Sequence, residues 1–224
     1  MATLIYKIKI TANITVLTGL HIGGSDAVLD IGGIDNSIIK TKNNIPYIPG
    51  SSLKGKLRDL IARSNGFNDI EQDRGATEIL FSGSIKRTIN QKTEKVIKEK
   101  TVPTRLITRD CFAIENTVDV HEKSENVIDR STGGAMPRIT ERVSPDTVFE
   151  MDMILDVYDI DKGQIINLLE TLQSGFQLLE NDFLGGSGSR GYGKVKFSNF
   201  KLGFPFIGKG EKPGEEVEKF KFKL

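Results

Sequence analysis

The chain has 224 residues, 38% of them hydrophobic, with 31 Lys and Arg residues against 30 Asp and Glu residues. This length and composition allow one large domain, or two small ones, to bury a hydrophobic core. The formal net charge of +1 provides no global field that would attract an anionic partner, so any binding of polyanions requires a local basic patch.

The sequence also bears on location. No apolar run is long enough to cross a membrane, and the N-terminus "MATLIYKIKI" lacks the basic and apolar regions of a signal peptide. Cys111 is the single cysteine, which excludes a disulfide framework and a cysteine-based zinc site. We expect a cytoplasmic protein that does not enter a membrane.

The first predicted element is a strand over residues 4–18, where β-branched and polar residues alternate. The stretch "GLHIGGSDAVLDIGGID", Gly19 to Asp35, follows and contains five glycines, one of two histidines and three aspartates. Glycine clusters form turns, phosphate-binding loops, or bare backbone that a large ligand can approach. The composition of the stretch alone leaves these three interpretations open.

A helix is predicted next, over "SSLKGKLRDLIARS". Its apolar residues lie at i, i+4, i+7 and i+8, which places Leu53, Leu57, Leu60 and Ile61 on one face, and Ser51 or Ser52 is suited to cap its N-terminus. In residues 66–101 a short apolar piece precedes a polar run that is typical of an exposed loop or hairpin.

The second half of the chain alternates again. Residues 104–116 have strand character, and residues 117–145 predict an extended insertion with the form of an irregular hairpin. A half-buried strand is expected around residues 149–157, a helix around 161–181, a glycine loop at 182–193 and a closing strand at 194–200. We expect the charged C-terminal tail to be peripheral, with "FKFKL" as a possible edge strand.

This order of elements, strand, helix, strand, strand, helix, strand, predicts an α+β fold of the ferredoxin-like (RRM-like) type. An antiparallel sheet then packs two helices on one face. The prediction is one domain, residues 1–224. The ferredoxin-like part is expected to lie in residues 1–65, 102–116 and 146–203, and the insertions in residues 66–101 and 117–145.

Two segments match the sequence patterns of nucleotide-binding motifs, but the predicted secondary structure or the residues around them do not suit nucleotide binding. "GSSLKGKL" resembles a P-loop, but Leu57 stands where the motif needs Ser or Thr to hold magnesium, and Gly55 lies within the predicted helix. "GSGSRG", Gly186 to Gly191, matches the dinucleotide fingerprint, yet here the helix precedes the glycines and the strand follows them. What remains is a loop with bare amides beside Arg190, Tyr192 and Lys194.

The acidic residues of the first glycine stretch offer limited chemistry by themselves. His21 with an aspartate is weak evidence for an acid–base pair, because no Ser or Cys nucleophile accompanies it. Asp26 and Asp30 lie among small residues, where aspartates commonly cap turns. Asp35 follows two glycines and is, from spacing alone, either a turn residue or a catalytic or metal-binding group.

Taken together, "TGLHIGGSD", "GGID", "IPGSSLKGKLR" and "LGGSGSRGYGKV" resemble, in this order, the repeat-associated mysterious protein (RAMP) superfamily. Within it, the chain is similar to the backbone subunit of the type III-A CRISPR effector, the Csm complex. The resemblance spans nearly the whole chain and is weakest in residues 66–101 and the C-terminal tail.

The resemblance implies a subunit with a ferredoxin-like palm and a β-hairpin thumb that stacks head to tail along a CRISPR guide RNA (crRNA) and cleaves target RNA in antiviral defence. Its implied partners are crRNA, target RNA, further copies of itself, and other Csm subunits including the large signalling subunit. Residues 117–145 correspond to the thumb, which kinks the guide–target duplex in the family. Met136 and Pro137, near its tip, are expected to act as wedges between bases, by analogy with other apolar wedges.

The resemblance assigns catalysis to Asp35, the end of "GGID". Cleavage in the family uses a divalent metal, Mg²⁺ or Mn²⁺, which we expect to be bound only together with RNA, and looks like attack by the RNA's own 2′-hydroxyl. Asp35 would then act as general base or as metal ligand, and the sequence does not separate these roles.

The resemblance and phosphate chemistry together predict an RNA-binding set drawn from the glycine stretches, the first helix and the thumb. The set consists of His21, Ser51, Ser52, Lys54, Arg58, Arg130, Met136, Arg138, Arg142, Gly186, Ser187, Gly188, Ser189, Arg190 and Lys194. Two alternatives remain open: a purely structural guide-binding subunit without cleavage, and a standalone RAMP endonuclease that processes precursor crRNA, for which His21 would carry the chemistry.

Overall fold

The computed structural model describes residues 2–24, 36–68, 73–81, 85–89, 96–101 and 103–224. For residues 85–89 and 96–101 it describes the backbone alone. Asp26, Asp30 and Asp35 lie outside the described residues. The described strands are β1 (Leu4–Val16), β2 (Tyr47–Ile48), β3 (Ile85–Ile89), β4 (Val96–Thr101), β5 (Leu106–Thr108), β6 (Cys111–Ala113), β7 (Val120–Ile128), β8 (Ala135–Val143), β9 (Val148–Tyr158) and β10 (Val195–Ile207). The described α-helices are α1 (Gly50–Ser64), α2 (Gly75–Phe81), α3 (Ile165–Glu180) and α4 (Glu215–Glu218).

The central sheet has the predicted ferredoxin-like topology. Its strand order is β10-β1-β9-β6-β2, with β5 also paired to β9, and every pairing is antiparallel. When β5 and β6 are taken together as the second core strand, this is the order four, one, three, two of the split βαβ arrangement. The expected α+β fold class is therefore confirmed.

Helices α1 and α3 cover one face of this sheet with the apolar stripes that their sequences predict. The stripe of α1 is buried at Leu53, Leu57, Leu60 and Ile61. Gly175 lies where α3 meets α1: a Cβ atom there would be 2.6 Å from Ile61 Cδ1. The glycine allows the two helices to approach closely, and the core of the palm lies between them and the sheet.

The residue range predicted as one strand, 104–116, is divided into β5 and β6. The break falls at Arg109 and Asp110, whose side chains bind neighbouring elements. Arg109 Nη1 donates to Asp152 Oδ2 at 2.6 Å, and Asp110 Oδ1 accepts a hydrogen bond from the backbone N–H of Gly50 at 2.8 Å.

This bond also corrects the predicted cap of the first helix. Neither Ser51 nor Ser52 is the N-cap, because α1 begins at Gly50 after Pro49 and lacks a side-chain cap from its own N-cap residue. The carboxylate of Asp110 satisfies the first N–H group instead, as an acidic group near a helix N-terminus is expected to do.

Residues 120–143 form a regular hairpin, not the irregular one that was expected. Strands β7 and β8 pair from Val120–Val143 to Ile128–Ala135 without a register shift. We refer to this hairpin as the thumb. The strict alternation places the odd-numbered residues of β7 and the even-numbered residues of β8 on one face, here called the inner face.

The C-terminal tail packs on the palm. The segment "FKFKL" is not a strand; Phe222 stacks on Phe200 with 4.7 Å between ring centroids and contacts the edge of Phe176 at 5.8 Å. Phe220 and Phe222 are partly buried against the core, whereas most other residues of the tail are exposed, so the tail is a peripheral segment attached by these two rings. Among the described helices, none is long and apolar enough to span a membrane.

Candidate functional site

The two glycine-rich segments, which are far apart in the chain, lie directly against each other. The backbone N–H of Gly186 donates to the carbonyl oxygen of His21 at 2.8 Å, and that of Gly193 donates to the carbonyl oxygen of Gly19 at 3.0 Å. Gly185 has φ +77°, and a Cβ atom there would lie 2.3 Å from the His21 oxygen. Glycine is required at this position by both conformation and contact distance.

The base of the thumb packs onto this junction. Leu20 pairs with Val143 of β8, and Asn36 pairs with Thr140. His21 Nδ1 lies 2.8 Å from the carbonyl oxygen of Glu141, and it must donate to that acceptor, which leaves Nε2 as the unprotonated nitrogen when the ring is neutral. No described residue forms a hydrogen bond with His21 Nε2.

Glu141 is a buried carboxylate that the sequence did not single out. It is 5% exposed, accepts a hydrogen bond from the backbone N–H of Ile38 at 3.0 Å and forms an ion pair with Lys40. Its own backbone N–H donates to the carbonyl oxygen of Asn36 at 3.0 Å. The chain that directly follows Asp35 is therefore fixed to the thumb.

A groove of about 350 Å³ opens between these parts. Its walls are supplied by both glycine segments, by the chain after Asp35 and by both thumb strands. The lining residues are His21, Asn36, Glu125, Asn126, Val127, Arg138, Thr140, Ser187 and Arg190. Four predicted RNA-binding residues, His21, Arg138, Ser187 and Arg190, are thus brought together at one site.

The acidic member of this groove is held by its neighbours. Glu125 Oε1 accepts a hydrogen bond from Tyr192 Oη at 2.6 Å and lies 2.8 Å from Lys123 Nζ, while Arg190 Nη1 is 3.9 Å from Oε2. The hydrogen bonds from Lys123 and then Tyr192 lower the pKa of Glu125. Burial, followed by the Glu125 bond, raises the pKa of Tyr192. Glu125 is consequently an anion that Lys123 already neutralises.

The remaining cations of the groove are available to an anionic ligand. Arg138 is exposed and forms no ion pair with another described residue. Arg190 has a side-chain exposure of 64% and only a long contact to Glu125. Backbone amides around Ser187, which has φ +58°, add further donors. Such a mixture of guanidinium groups, hydroxyls and bare amides suits the phosphates and sugars of a nucleic-acid strand.

The predicted basic residues of α1 have partners inside the protein. Lys54 Nζ donates to the carbonyl oxygen of Leu106 at 2.6 Å, and burial, followed by the charge of Arg58, lowers the pKa of Lys54. Arg58 donates through Nε and Nη2 to Asp73 Oδ2, at 2.9 Å and 2.6 Å. Ser51 is exposed and Ser52 half-buried in the first turn. Contact of these four residues with RNA stays a prediction.

The other predicted residues lie around the groove or at the far end of the thumb. Arg130 and Met136 are exposed near the thumb tip, where Met136 is 55% exposed. Ser189 and Lys194 are exposed beside the second glycine segment. Gly186 and Gly188 belong to that segment, and Gly188 packs against the ring of Phe183, which a Cβ atom would meet at 1.9 Å.

Several residues of the site were not identified from the sequence, because the alternating pattern of the first thumb strand was not recognised. These are Asn36, Glu125 and Thr140, which line the groove. Tyr192 was noted in the sequence without a role, and it is buried beneath the thumb with 2% exposure. The period-two spacing of His121, Lys123, Glu125 and Val127 would have revealed a common face, but the residues before "GGAMP" were interpreted as irregular.

A protein-only metal site is not formed by the part of the chain that the structure describes: no group of three or more His, Cys, Asp or Glu side chains there could hold an ion. Asp35, the predicted metal ligand, lies outside the described residues. The residues that line the groove include the oxygen donors of Asn36, Thr140 and Glu125. Magnesium and manganese prefer such hard oxygen ligands, completed by substrate phosphates.

Comparisons with known proteins agree with this geometry. The model of the RAMP superfamily matches residues 13–196. The chain is 41% identical to the "CRISPR system Cms endoribonuclease Csm3" of Streptococcus thermophilus over 205 residues, covering 87% of this chain and 89% of that protein. It is 37% identical to the protein of the same name from Mycobacterium tuberculosis, with 90% of each chain covered.

Solved structures give the same result at the level of the fold. A Csm3–Csm4 subcomplex of the type III-A CRISPR-Cas interference complex contains a chain with a TM-score of 0.53 and 27% identity, covering 97% of this chain and 86% of that one. A type III-B Cmr-β complex bound to cognate target RNA contains another, with a TM-score of 0.58 and 18% identity, covering 88% of this chain and 61% of that one.

Proposed function

Since the chain belongs to the RAMP superfamily, and within it to the Csm3 endoribonucleases, we propose that it is the backbone subunit of a type III-A CRISPR ribonucleoprotein. In this function the subunit binds crRNA, stacks with further copies of itself, and cleaves complementary target RNA. The neighbouring subunits are those of the Csm complex, including its large signalling subunit. The solved relatives are components of type III assemblies, and one of them is bound to target RNA.

The groove between the palm and the thumb is the observation that carries the proposal. It unites His21, Arg138, Ser187 and Arg190 with Asn36, the residue next to Asp35 in the chain. A strand of RNA in this groove would lie between cationic side chains and bare amides, and its backbone would pass the carboxylate that ends "GGID". Binding and cleavage would thus share one site.

Asp35 is the proposed catalytic residue. An RNA backbone that is bent by the thumb can place a 2′-oxygen in line with the adjacent phosphorus, and orientation of this kind accelerates an intramolecular attack. As the 2′-oxygen bonds to phosphorus and the 5′-oxygen leaves, Asp35 accepts the 2′-hydroxyl proton or helps to hold the metal ion. No protein nucleophile is needed, because the nucleophile belongs to the substrate.

We further propose that cleavage depends on Mg²⁺ or Mn²⁺ held jointly by Asp35 and RNA. Such an ion, when bound, supplies neutralisation of the charge that develops on the phosphate. The residues around the groove fit this role to the extent that Asn36 and Thr140 provide oxygen donors, and phosphate oxygens would complete the coordination. The residues of the chain orient the RNA and accept the proton of the 2′-hydroxyl group.

The deciding experiment compares complexes that carry Asp35→Ala with complexes that carry Asp30→Ala, a matched aspartate of the same glycine segment. Each complex is purified with its guide, and cleavage of a labelled RNA complementary to that guide is followed with Mg²⁺, with Mn²⁺, and with EDTA. We expect Asp35→Ala to retain guide RNA and to lose roughly 100-fold or more of the cleavage rate. Asp30→Ala should cleave normally.

Other results would favour the alternatives. Unchanged cleavage by Asp35→Ala complexes would leave a structural guide-binding subunit, with catalysis elsewhere in the assembly. Cleavage of isolated precursor crRNA by the purified chain, lost in His21→Ala, would instead indicate a processing endonuclease. Full activity in EDTA would contradict the proposed metal.

A further inference from the structure

The side chain of Arg142 is closely packed at the base of the thumb. A Cβ atom on Gly19 would be 2.5 Å from Arg142 Cδ, so the side chain crosses directly over that glycine. Its guanidinium carbon lies 4.9 Å from the centroid of the Tyr192 ring. The palm and the second glycine segment therefore hold the stem and one flat side of this cation.

A relay of hydrogen bonds fixes the direction of the same guanidinium. Arg142 Nε donates to His121 Nε2 at 2.7 Å, His121 Nδ1 donates to Ser144 Oγ at 2.7 Å, and Ser144 Oγ donates to Asp119 Oδ2 at 2.7 Å. The directions follow from Arg142, which cannot lose its proton and must be the donor. His121 is thus the neutral tautomer that carries its hydrogen on Nδ1.

The two terminal nitrogens of Arg142 make no hydrogen bond to any other described residue. They offer a planar fork of donors, which matches the geometry of a phosphate group. Arg142 is partly exposed and lies on the inner face of the thumb together with Arg138, which lines the groove. An RNA strand that leaves the groove along the inner face toward the palm meets Arg142.

We propose that His121 is a positioning residue for RNA binding: through its bond to Nε it holds the Arg142 guanidinium with both terminal nitrogens directed at the RNA backbone. This inference rests on the proposed function. His121 itself does not contact the RNA. A protonated His121 has no acceptor for Nε and places a second positive charge beside the guanidinium, so protonation releases Arg142.

The charges around His121 favour its neutral form. Burial, and then Arg142, lower its pKa, and Asp119 opposes them. Lys123 follows on the same face of β7, and its ammonium is paired with Glu125. Arg142 faces His121 across the hairpin and Asp119 faces it through Ser144. Because the pKa of His121 lies below the ordinary histidine value, the positioning bond is intact at neutral pH and is lost only on acidification past that ordinary value.

The test measures binding of a fluorescein-labelled single-stranded crRNA to the full-length chain by anisotropy, as a function of salt and pH. Arg142→Ala should weaken binding roughly 10-fold and reduce the slope of log affinity against log salt by about 0.7. Arg63→Ala, which removes an exposed arginine of α1 paired with Asp59, is the matched control and should leave both values unchanged.

His121 is then tested by two variants. His121→Ala should weaken binding about 3-fold or more, and the double variant His121→Ala/Arg142→Ala should be no weaker than Arg142→Ala alone. His121→Gln retains an oxygen acceptor for Nε and should restore binding. Wild type should equal His121→Gln at neutral pH and lose affinity relative to it only on acidification, because the pKa of His121 is lowered; a residue needed only for folding would not show this difference.

The inference is overturned if Arg142→Ala keeps both affinity and salt slope, or if His121→Ala and His121→Gln equal wild type at every pH. In both cases the wild-type chain still binds crRNA and the proposed function stands. A wild-type chain that fails to bind crRNA would overturn the proposed function itself.

Discussion

The backbone N–H of Gly186 donates to the carbonyl oxygen of His21 at 2.8 Å, which joins two glycine-rich segments from opposite ends of the chain. Each segment alone is compatible with a turn. Their direct contact, which only residues without side chains permit, creates one wall of the groove. The approach of backbone to backbone therefore explains Gly185.

Replacement of Gly185 tests this contact. Gly185→Ala forces a side chain into a left-handed conformation and toward the His21 carbonyl oxygen, 2.3 Å away, and we expect the free energy of unfolding to fall by about 3 kcal/mol. Gly191→Ala is the control, because Gly191 also has positive φ but nothing lies within 4 Å; it should cost about 1 kcal/mol. Urea unfolding of the two variants measures the difference, and equal losses would contradict the contact.

The ion pair between α1 and the chain before α2 makes a second prediction. Asp73 is 3% exposed and accepts both bonds from Arg58. Asp73→Ala leaves a partly buried guanidinium without that partner, so the free energy of unfolding should fall by about 3 kcal/mol. Asp59→Ala, at an exposed pair with Arg63, should change it by less than about 0.5 kcal/mol. A small loss for Asp73→Ala in chemical denaturation would show that Arg58 is not committed to this pair.

The hydroxyl of Tyr192 connects the second glycine segment to the thumb. Tyr192→Phe removes the hydrogen bond to Glu125 Oε1 and should lower the free energy of unfolding by about 1.5 kcal/mol, since the acceptor is charged. Faster amide hydrogen exchange should appear in β7. Tyr47→Phe is the matched control, because Tyr47 stacks on Phe112 and keeps that contact. Unchanged exchange in β7 of Tyr192→Phe would rule out this connection.

The tip of the thumb carries its own acid-sensitive group. Asp129 accepts hydrogen bonds from the backbone N–H and hydroxyl of Ser131 and from the hydroxyl of Thr132. The Ser131 bonds, followed by Thr132, lower the pKa of Asp129 from 3.8 to about 2. A depressed pKa means that the turn is stabilised above about pH 3.8, and that this stabilisation disappears as the pH falls toward 2.

NMR titration of the Ser131 and Thr132 amides measures this effect, with Asp129→Asn as the control. Both amides should shift with a midpoint near pH 2 in the wild type, and the Asn variant should show no such transition. A midpoint near 3.8 would mean that the turn does not hold the carboxylate in solution.

The fold was largely predictable because periodicity determines it. The stripe of Leu53, Leu57 and Leu60 and the alternation in β9 specify which faces are buried, and their order along the chain leaves few topologies. The start of α1 was not predictable in the same way. Its first N–H is bound by Asp110, which lies far away in sequence, and local capping preferences do not include such a partner.

The candidate site was predictable in part. His21, Arg138, Ser187 and Arg190 were identified from motifs and from the resemblance, and they share one groove. Glu125 was missed, and Tyr192 was noted without a role, because the contact between them arises only when the thumb covers the second glycine segment. His121 was missed for a related reason: a histidine flanked by charged residues carries no signal until its cross-strand neighbour, Arg142, is known.

The thumb is attached very unevenly along its length. From its palm end as far as Glu125, the hairpin is held by the Leu20–Val143 bridge, by Glu141 and by the Tyr192–Glu125 bond, whereas the turn at Asp129 is bonded within itself. Nine residues per strand extend about 30 Å, so the hairpin is fixed to the palm at one end and free at the other. A force applied at the free end produces its largest bending moment where the hairpin joins the palm, beside His21 and Asn36.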